Sequence, residues 1–327
     1  MPQPARRLLD HYRHPLVRDL AWILLAPDLI EMPGATRPSR RELGLDDDDR
    51  LVAWLGERER SPGYLEAHLA PTLRGRMGLY HERLWQFLLD EAPATRLLAH
   101  NLRIHQGKRT LGELDLLYCR LDDPRPVHLE VAIKYYLGLA EGPGMPDSQA
   151  RWIGPGGADS LSAKRERLFH HQLRLAETAE AREALHRLMS RHWPAGLSAQ
   201  ATDIAVRMAM PGVLFFPWHT DLPSPREATV RSLRGQWLFR RDWRAFQADL
   251  PEGTCGAWLH KPHWLALPHP ETLERLSTLD RRLAAHFRVT ASPVQLALYH
   301  PEAGERRLFL VPDDWPHQIP LPPSPLP

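Results

Sequence analysis

The stretch from Gly112 to Tyr135 constrains this chain more than any other. Two runs stand there in close succession, Gly112-Glu113-Leu114-Asp115-Leu116-Leu117 and His128-Leu129-Glu130-Val131-Ala132-Ile133-Lys134-Tyr135. In an extended strand alternate side chains share a face. Leu129, Val131, Ile133 and Tyr135 then form one apolar face, opposite His128, Glu130, Ala132 and Lys134. The earlier run splits likewise, with Leu114, Leu116 and Tyr118 opposite Glu113, Asp115 and Leu117. Two neighbouring strands thus each offer an acid, Asp115 and Glu130, to a common side.

The flanking sequence supplies the rest of a fold. Residues 1–95 read mostly as helices. The acidic run Asp46 to Asp49 stands where the helix dipole favours negative charge, ahead of a helix through Leu51, Trp54 and Leu55. A helix over Gly78–Asp90 leads into a meander of Leu102 to His105, Thr110 to Cys119 and Val127 to Tyr135. After a loop rich in Gly and Pro, the pattern predicts one long helix from Asp159 to His192, capped by Asp159 or Ser160. Val213-Leu214-Phe215-Phe216 then reads as a buried strand closed by Pro217. Beyond it Gly235 to Phe239 reads as a strand, and Val294 to Tyr299 pairs with Arg307 to Val311 across a turn at Glu302-Ala303-Gly304. The division expected is an N-terminal helical region (1–77), a core (78–217) and a smaller C-terminal α+β lobe (218–327). The fold class is α/β, a mixed sheet flanked by helices.

Acids gathered on one side of a sheet repel and raise one another's pKa unless a cation lies between them. Mg²⁺ takes oxygen ligands, commonly one or two carboxylates with waters and phosphate oxygens, and such a metal activates water for phosphodiester hydrolysis. A third acid comes from the preceding helix. At 100° per residue Glu82 falls in the arc of Leu79, Trp85 and Leu89, so it points inward, and it must be protonated, paired with an arginine such as Arg103 or Arg109, or near a cation. On the long helix Lys164, Arg167, His171 and Arg174 make a basic stripe, either a solvated face or a phosphate contact. Gln172 lies with Leu161, Leu168 and Leu175 on the apolar stripe, as a core amide or a site residue.

The Gly-Glu-Leu-Asp strand, the next strand with its central Glu130, and the order helix, three strands, helix, strand resemble the PD-(D/E)XK nuclease superfamily, with its restriction-endonuclease-like core. Leu111 to Leu117, His128 to Leu137 and His170 to Leu173 further resemble a bacterial family of unknown function grouped with those nucleases. The resemblance implies Mg²⁺ or Mn²⁺ held by Asp115 and Glu130 with Glu82 in support. The superfamily's lysine usually follows the second acid by two residues, where this chain has Ala132. Lys134, about 6.6 Å further along the same face, or Lys164 would stand in for it. The function implied is metal-dependent cleavage of a nucleic acid, DNA before RNA. Its rivals are a catalytically degenerate protein of the same fold that binds nucleic acid or a partner protein, and a buried ion network of Asp115, Glu130 and Lys134.

Composition narrows these readings little. The formal net charge of +2 leaves any basic surface to be local. Cys119 and Cys255 have no metal-type spacing and are expected to be reduced and buried. The apolar run Leu20 to Ala26 is too short to span a bilayer, so the chain reads as cytoplasmic. His260 and His263 flank Pro262 with no third ligand in phase. The proline-rich end, Pro320 to Pro327, reads as an extended linker or docking strand.

Overall fold

The computed structural model describes residues 8–192 and 204–320; most of the proline-rich end lies outside the described residues. Twelve strands are found there: β1 (Thr95–Gln106), β2 (Arg109–Arg120), β3 (Val127–Val131), β4 (Lys134–Gly138), β5 (Trp152–Ile153), β6 (Ala205–Ala209), β7 (Gly212–Pro217), β8 (Leu233–Phe239), β9 (Cys255–Leu259), β10 (Glu274–Arg275), β11 (Val294–His300) and β12 (Gly304–Val311). Among the described residues no helix is long and apolar enough to cross a membrane. The chain forms two compact units that interleave in sequence. A meander unit takes Glu31–Ile133 and Arg165–Met210, and a terminal unit takes the chain up to Ile30, Lys134–Lys164 and everything from Pro211 on.

The meander unit is built on a four-stranded sheet in the order β1-β2-β3-β6. β1 with β2 and β2 with β3 run antiparallel, and β3 with β6 runs parallel. Helices precede it, as the sequence predicts. Asp47 caps Asp48–Arg60 by accepting from the Arg50 N–H at 3.0 Å, so the acidic run starts that helix, and Leu51, Trp54 and Leu55 are its buried face. The helix Met77–Glu91 packs on β1, β2 and β3 through Leu84, Trp85, Leu88 and Leu89. Each such side chain removed from water contributes about 1.5–3 kcal/mol. A further cluster joins Ile104, Leu114 and Leu117 of the sheet to Leu175, Ala176, Ala181 and Leu185 of the later helices.

In the terminal unit an eight-stranded mixed sheet runs β10-β9-β11-β12-β8-β7-β4-β5. The β11–β12 hairpin forms as expected and turns at Gly304, whose φ of 77° is left-handed and easy for glycine. Leu238, Trp243, Phe246, Leu279, Leu283 and Leu296 make a core under this sheet. At Gly212 a Cβ would lie 1.8 Å from the Lys134 carbonyl oxygen, so β4 and β7 approach this closely only because position 212 has no side chain.

Several expectations are corrected. The run Val127–Tyr135 is not one strand: it breaks at Ala132 and Ile133, and β3 and β4 belong to different sheets. The strand pairing with β3 is β6, while the predicted closing strand near Val213 is β7 of the larger sheet, which also contains the strands after residue 218. The long helix is interrupted. Ser160 caps Leu161–Arg167 through the Ala163 N–H, a π-helical turn covers Leu168–Gln172, a short turn Leu173–Leu175 follows, and Ala179–His192 forms a separate helix. Leu79 is exposed, so the buried stripe of its helix runs through Tyr80, Leu84 and Leu88 instead. Cys119 is buried and Cys255 half-buried, both as free thiols.

Candidate functional site

Glu130 lies in β3 with β6 alongside, and its side chain is fully buried. A carboxylate there must find hydrogen bonds within the protein. Gln172 supplies one, its Nε2 donating to Glu130 Oε1. Gln172 ends the π-helical turn, and such widened turns recur where a helix has to place one side chain off its regular path. The amide is therefore a hydrogen-bond partner of the motif acid.

Two residues before Glu130, His128 is also fully buried, with its Nε2 3.9 Å from Glu130 Oε2. Burial lowers its pKa to about 4, so the imidazole is neutral near pH 7. The alternation in the sequence placed His128 on this face but gave no reason to single it out.

Asp115 uses its carboxylate differently. Its Oδ2 accepts from the backbone N–H of Val131 at 3.1 Å, next to the point where β3 ends. Only Leu116, Leu117 and Tyr118 of β2 pair with β3, so this side-chain bond continues the join beyond the ladder. The period of two slips here. Leu114 and Leu117 pack in the same cluster although strict alternation puts them on opposite faces. Across on β1, Asn101 has a left-handed φ of 51°, which Asn tolerates better than most residues.

Glu82 bonds to its own helix and to β1. It accepts from Gln86 Nε2 at 3.1 Å and from Asn101, whose Nδ2 also donates to Glu113 Oε1 at 2.8 Å. Burial raises the Glu82 pKa, the Asn101 hydrogen bond opposes this, and the nearby charge of Glu113 adds to the rise. Arg103, one of the arginines expected beside Glu82, pairs with Glu113 at 3.4 Å. Neither Asn101 nor Glu113 was singled out from the sequence. The signal available was the position of Glu113 within the Gly-Glu-Leu-Asp motif itself.

Lys134 and Lys164 belong to the terminal unit. Lys134 opens β4 of the terminal unit, where its Nζ pairs with Asp159, and the Tyr136 hydroxyl donates to the same Oδ2 at 3.4 Å. Lys164 is half-buried in Leu161–Arg167, while Arg167, His171 and Arg174 are exposed. His263 pairs with the buried Asp19 at 3.4 Å, which raises its pKa and accounts for it without a metal.

Mg²⁺ or Mn²⁺ requires several oxygen ligands near octahedral positions. Among the described residues no group of three or more His, Cys, Asp or Glu is arranged to hold a metal ion. Glu130 is bonded to Gln172, Asp115 to a backbone N–H, and Glu82 lies among Gln86, Asn101 and Glu113.

Neither a curated protein nor a solved structure matches the chain. A sequence profile described as a domain of unknown function, DUF1853, does match, over residues 18–311. The match spans most of the chain, and the protein belongs to that family.

Proposed function

We propose that this protein is a catalytically degenerate member of the restriction-endonuclease-like fold that binds nucleic acid, duplex DNA before RNA, without cutting it. The observation that carries this reading is the commitment of the motif acids to the protein's own donors, Gln172 on Glu130 and the Val131 N–H on Asp115. The order helix, β1, β2, β3, helices, β6 in one mixed sheet supports the nuclease-like ancestry. Arg167 and Arg174, exposed beside the turn that presents Gln172, supply positive charge suited to phosphates. The metal-dependent nuclease reading would instead require Asp115, Glu130 and Glu82 around one cation, with Lys134 or Lys164 at the attacking water.

Fluorescence anisotropy with duplex DNA, single-stranded DNA and RNA, each in Mn²⁺ and in EDTA, tests the reading. We expect binding to duplex DNA with the same affinity in both buffers, and retained in Glu130→Gln. Absence of binding to every nucleic acid, or binding that needs the metal, contradicts it.

A further inference from the structure

The helix Pro15–Leu25 is buried from Leu16 to Leu24, its charged residues included. Arg18 and Trp22 stand four apart on it and so share a face. In β12, Glu305 and Arg307 alternate and share a face likewise. Both pairs line a cavity of about 80 Å³, smaller than the ~150 Å³ cavity that admits benzene. All the residues around it belong to the terminal unit. Arg18, Trp22 and Arg307 are buried, whereas Asp10 and Arg234 in the same wall are exposed and Glu305 is half-buried, so the cavity opens to solvent on that side.

The buried part of this wall presents donors. The Trp22 Nε1–H is buried and has no acceptor among the described residues, and an orphaned buried donor is rare. Arg307 donates from Nη1 to the Trp264 carbonyl at 2.7 Å and to Gln295 Oε1 at 3.2 Å, and from Nη2 to the Leu265 carbonyl. The Tyr135 hydroxyl also stands beside it, yet a guanidinium carries more N–H groups than these partners take up. The acids whose charge reaches Arg307, Glu305 and Asp19, make no hydrogen bond to it. A buried charge is ordinarily paired with its opposite. Arg18 adds a second buried cation, held by the carbonyls of Leu9, Tyr12 and Leu267 at 2.7–2.8 Å. Arg234 is engaged at the opening by Ser224 Oγ at 2.7 Å and lies over the Phe216 ring.

The wall thus carries both signs of charge, with the unaccepted donors buried and the acids toward the opening. A plain anion would meet the carboxylates of Asp10 and Glu305, and a plain cation would meet the guanidiniums. A small molecule bearing both charges meets neither conflict. We propose that this cavity binds a small α-amino acid, its carboxylate accepting from Arg307 and Trp22 and its ammonium group directed to Glu305 and Asp10. Charge-assisted bonds to a guanidinium are the strong kind, and they suit a carboxylate. Glu305 and Arg307 lie about 6.8 Å apart along their strand, near enough for one such molecule to reach both. The volume restricts the side chain to that of glycine or alanine. The site lies wholly in the terminal unit, so it does not rest on the nucleic-acid-binding reading.

The test is calorimetric titration of the full chain with glycine, L-alanine, acetate, methylammonium and inorganic phosphate. Wild type is compared with Trp22→Phe, which keeps a ring but removes the N–H, and with Glu305→Gln at the opening; circular dichroism checks that each is folded. We expect glycine or alanine to bind wild type with a Kd of about 1 mM or tighter, within reach of so small a ligand. Acetate and methylammonium, each lacking one charged group, should bind at least about tenfold more weakly, and each substitution should weaken glycine by about tenfold. Glu305→Gln should leave acetate no weaker. In the amide spectrum of wild type, the indole N–H resonance that is missing from Trp22→Phe should shift when glycine is added. If Trp22→Phe does not fold, Glu305→Gln decides: an undiminished glycine affinity there overturns the proposal. No binding of either amino acid shows a cavity that holds water alone and overturns it. Acetate or phosphate binding as tightly as glycine makes this a plain anion site and overturns the choice of ligand. Glycine binding unchanged in both variants places it elsewhere on the chain and overturns the site.

Discussion

Gln172 and Glu130 are 42 residues apart in the chain and joined side chain to side chain in the fold. Replacing Gln172 by Leu removes a hydrogen bond to a buried carboxylate, and we expect a loss of about 1–3 kcal/mol in the stability of the meander unit. Glu130→Gln removes the buried charge itself and is expected to be much milder. Equal losses in the two variants, measured by hydrogen exchange of β3 amides, speak against the pairing described. Two buried histidines, His81 and His128, give this unit a pH dependence. Burial lowers the pKa of His81 to about 3 and of His128 to about 4, both well below the ordinary histidine value. The unfolded chain therefore takes up protons below about pH 6.5 that the folded chain refuses, and stability falls as pH drops toward 4. Each histidine contributes at most about 1.4 kcal/mol per pH unit. Thermal unfolding between pH 7 and pH 5 checks this, with His128→Asn expected to flatten the decline; an unchanged slope in that variant removes His128 as its source.

The break between β3 and β4 divides the motif residues between two sheets. Gly212 shows how tightly the second half of that break is held, because β7 passes so close to Lys134 that any Cβ there meets backbone. We expect Gly212→Ala to destabilise the terminal unit by about 1–3 kcal/mol or more, as overpacking does, seen as faster exchange of β4 and β7 amides with β1 and β2 unaffected. Much of the element order was legible in the sequence. Hydrophobic alternation marked the strands, and the acidic run Asp46 to Asp49 and the pair Asp159 and Ser160 announced their helices. The break was not legible, because Ala132 and Ile133 continue the apolar alternation without a Gly or Pro to interrupt it. Nor was the loss of alternation between Leu114 and Leu117. The π-helical turn escaped for a similar reason: Leu168 to Gln172 has ordinary helical composition.

At the scale of the whole molecule, neither unit is a continuous segment. The chain leaves the terminal unit after Ile30, returns at Lys134, leaves again after Lys164 and returns at Pro211. A fragment of residues 78–217, the boundaries that the sequence pattern suggests, would contain β7 without β8 and lack the helices before residue 77. We expect that fragment to give poorly dispersed amide resonances where the full chain gives dispersed ones; a well-folded fragment would contradict the division described. The central claim is that a nuclease-like sheet is used here to hold nucleic acid and not to cut it. Incubating the full chain with labelled duplex, branched, single-stranded and RNA substrates in saturating Mn²⁺ tests it most directly. The account predicts bound but intact substrate. Cleavage abolished by EDTA and by Glu130→Gln would contradict it.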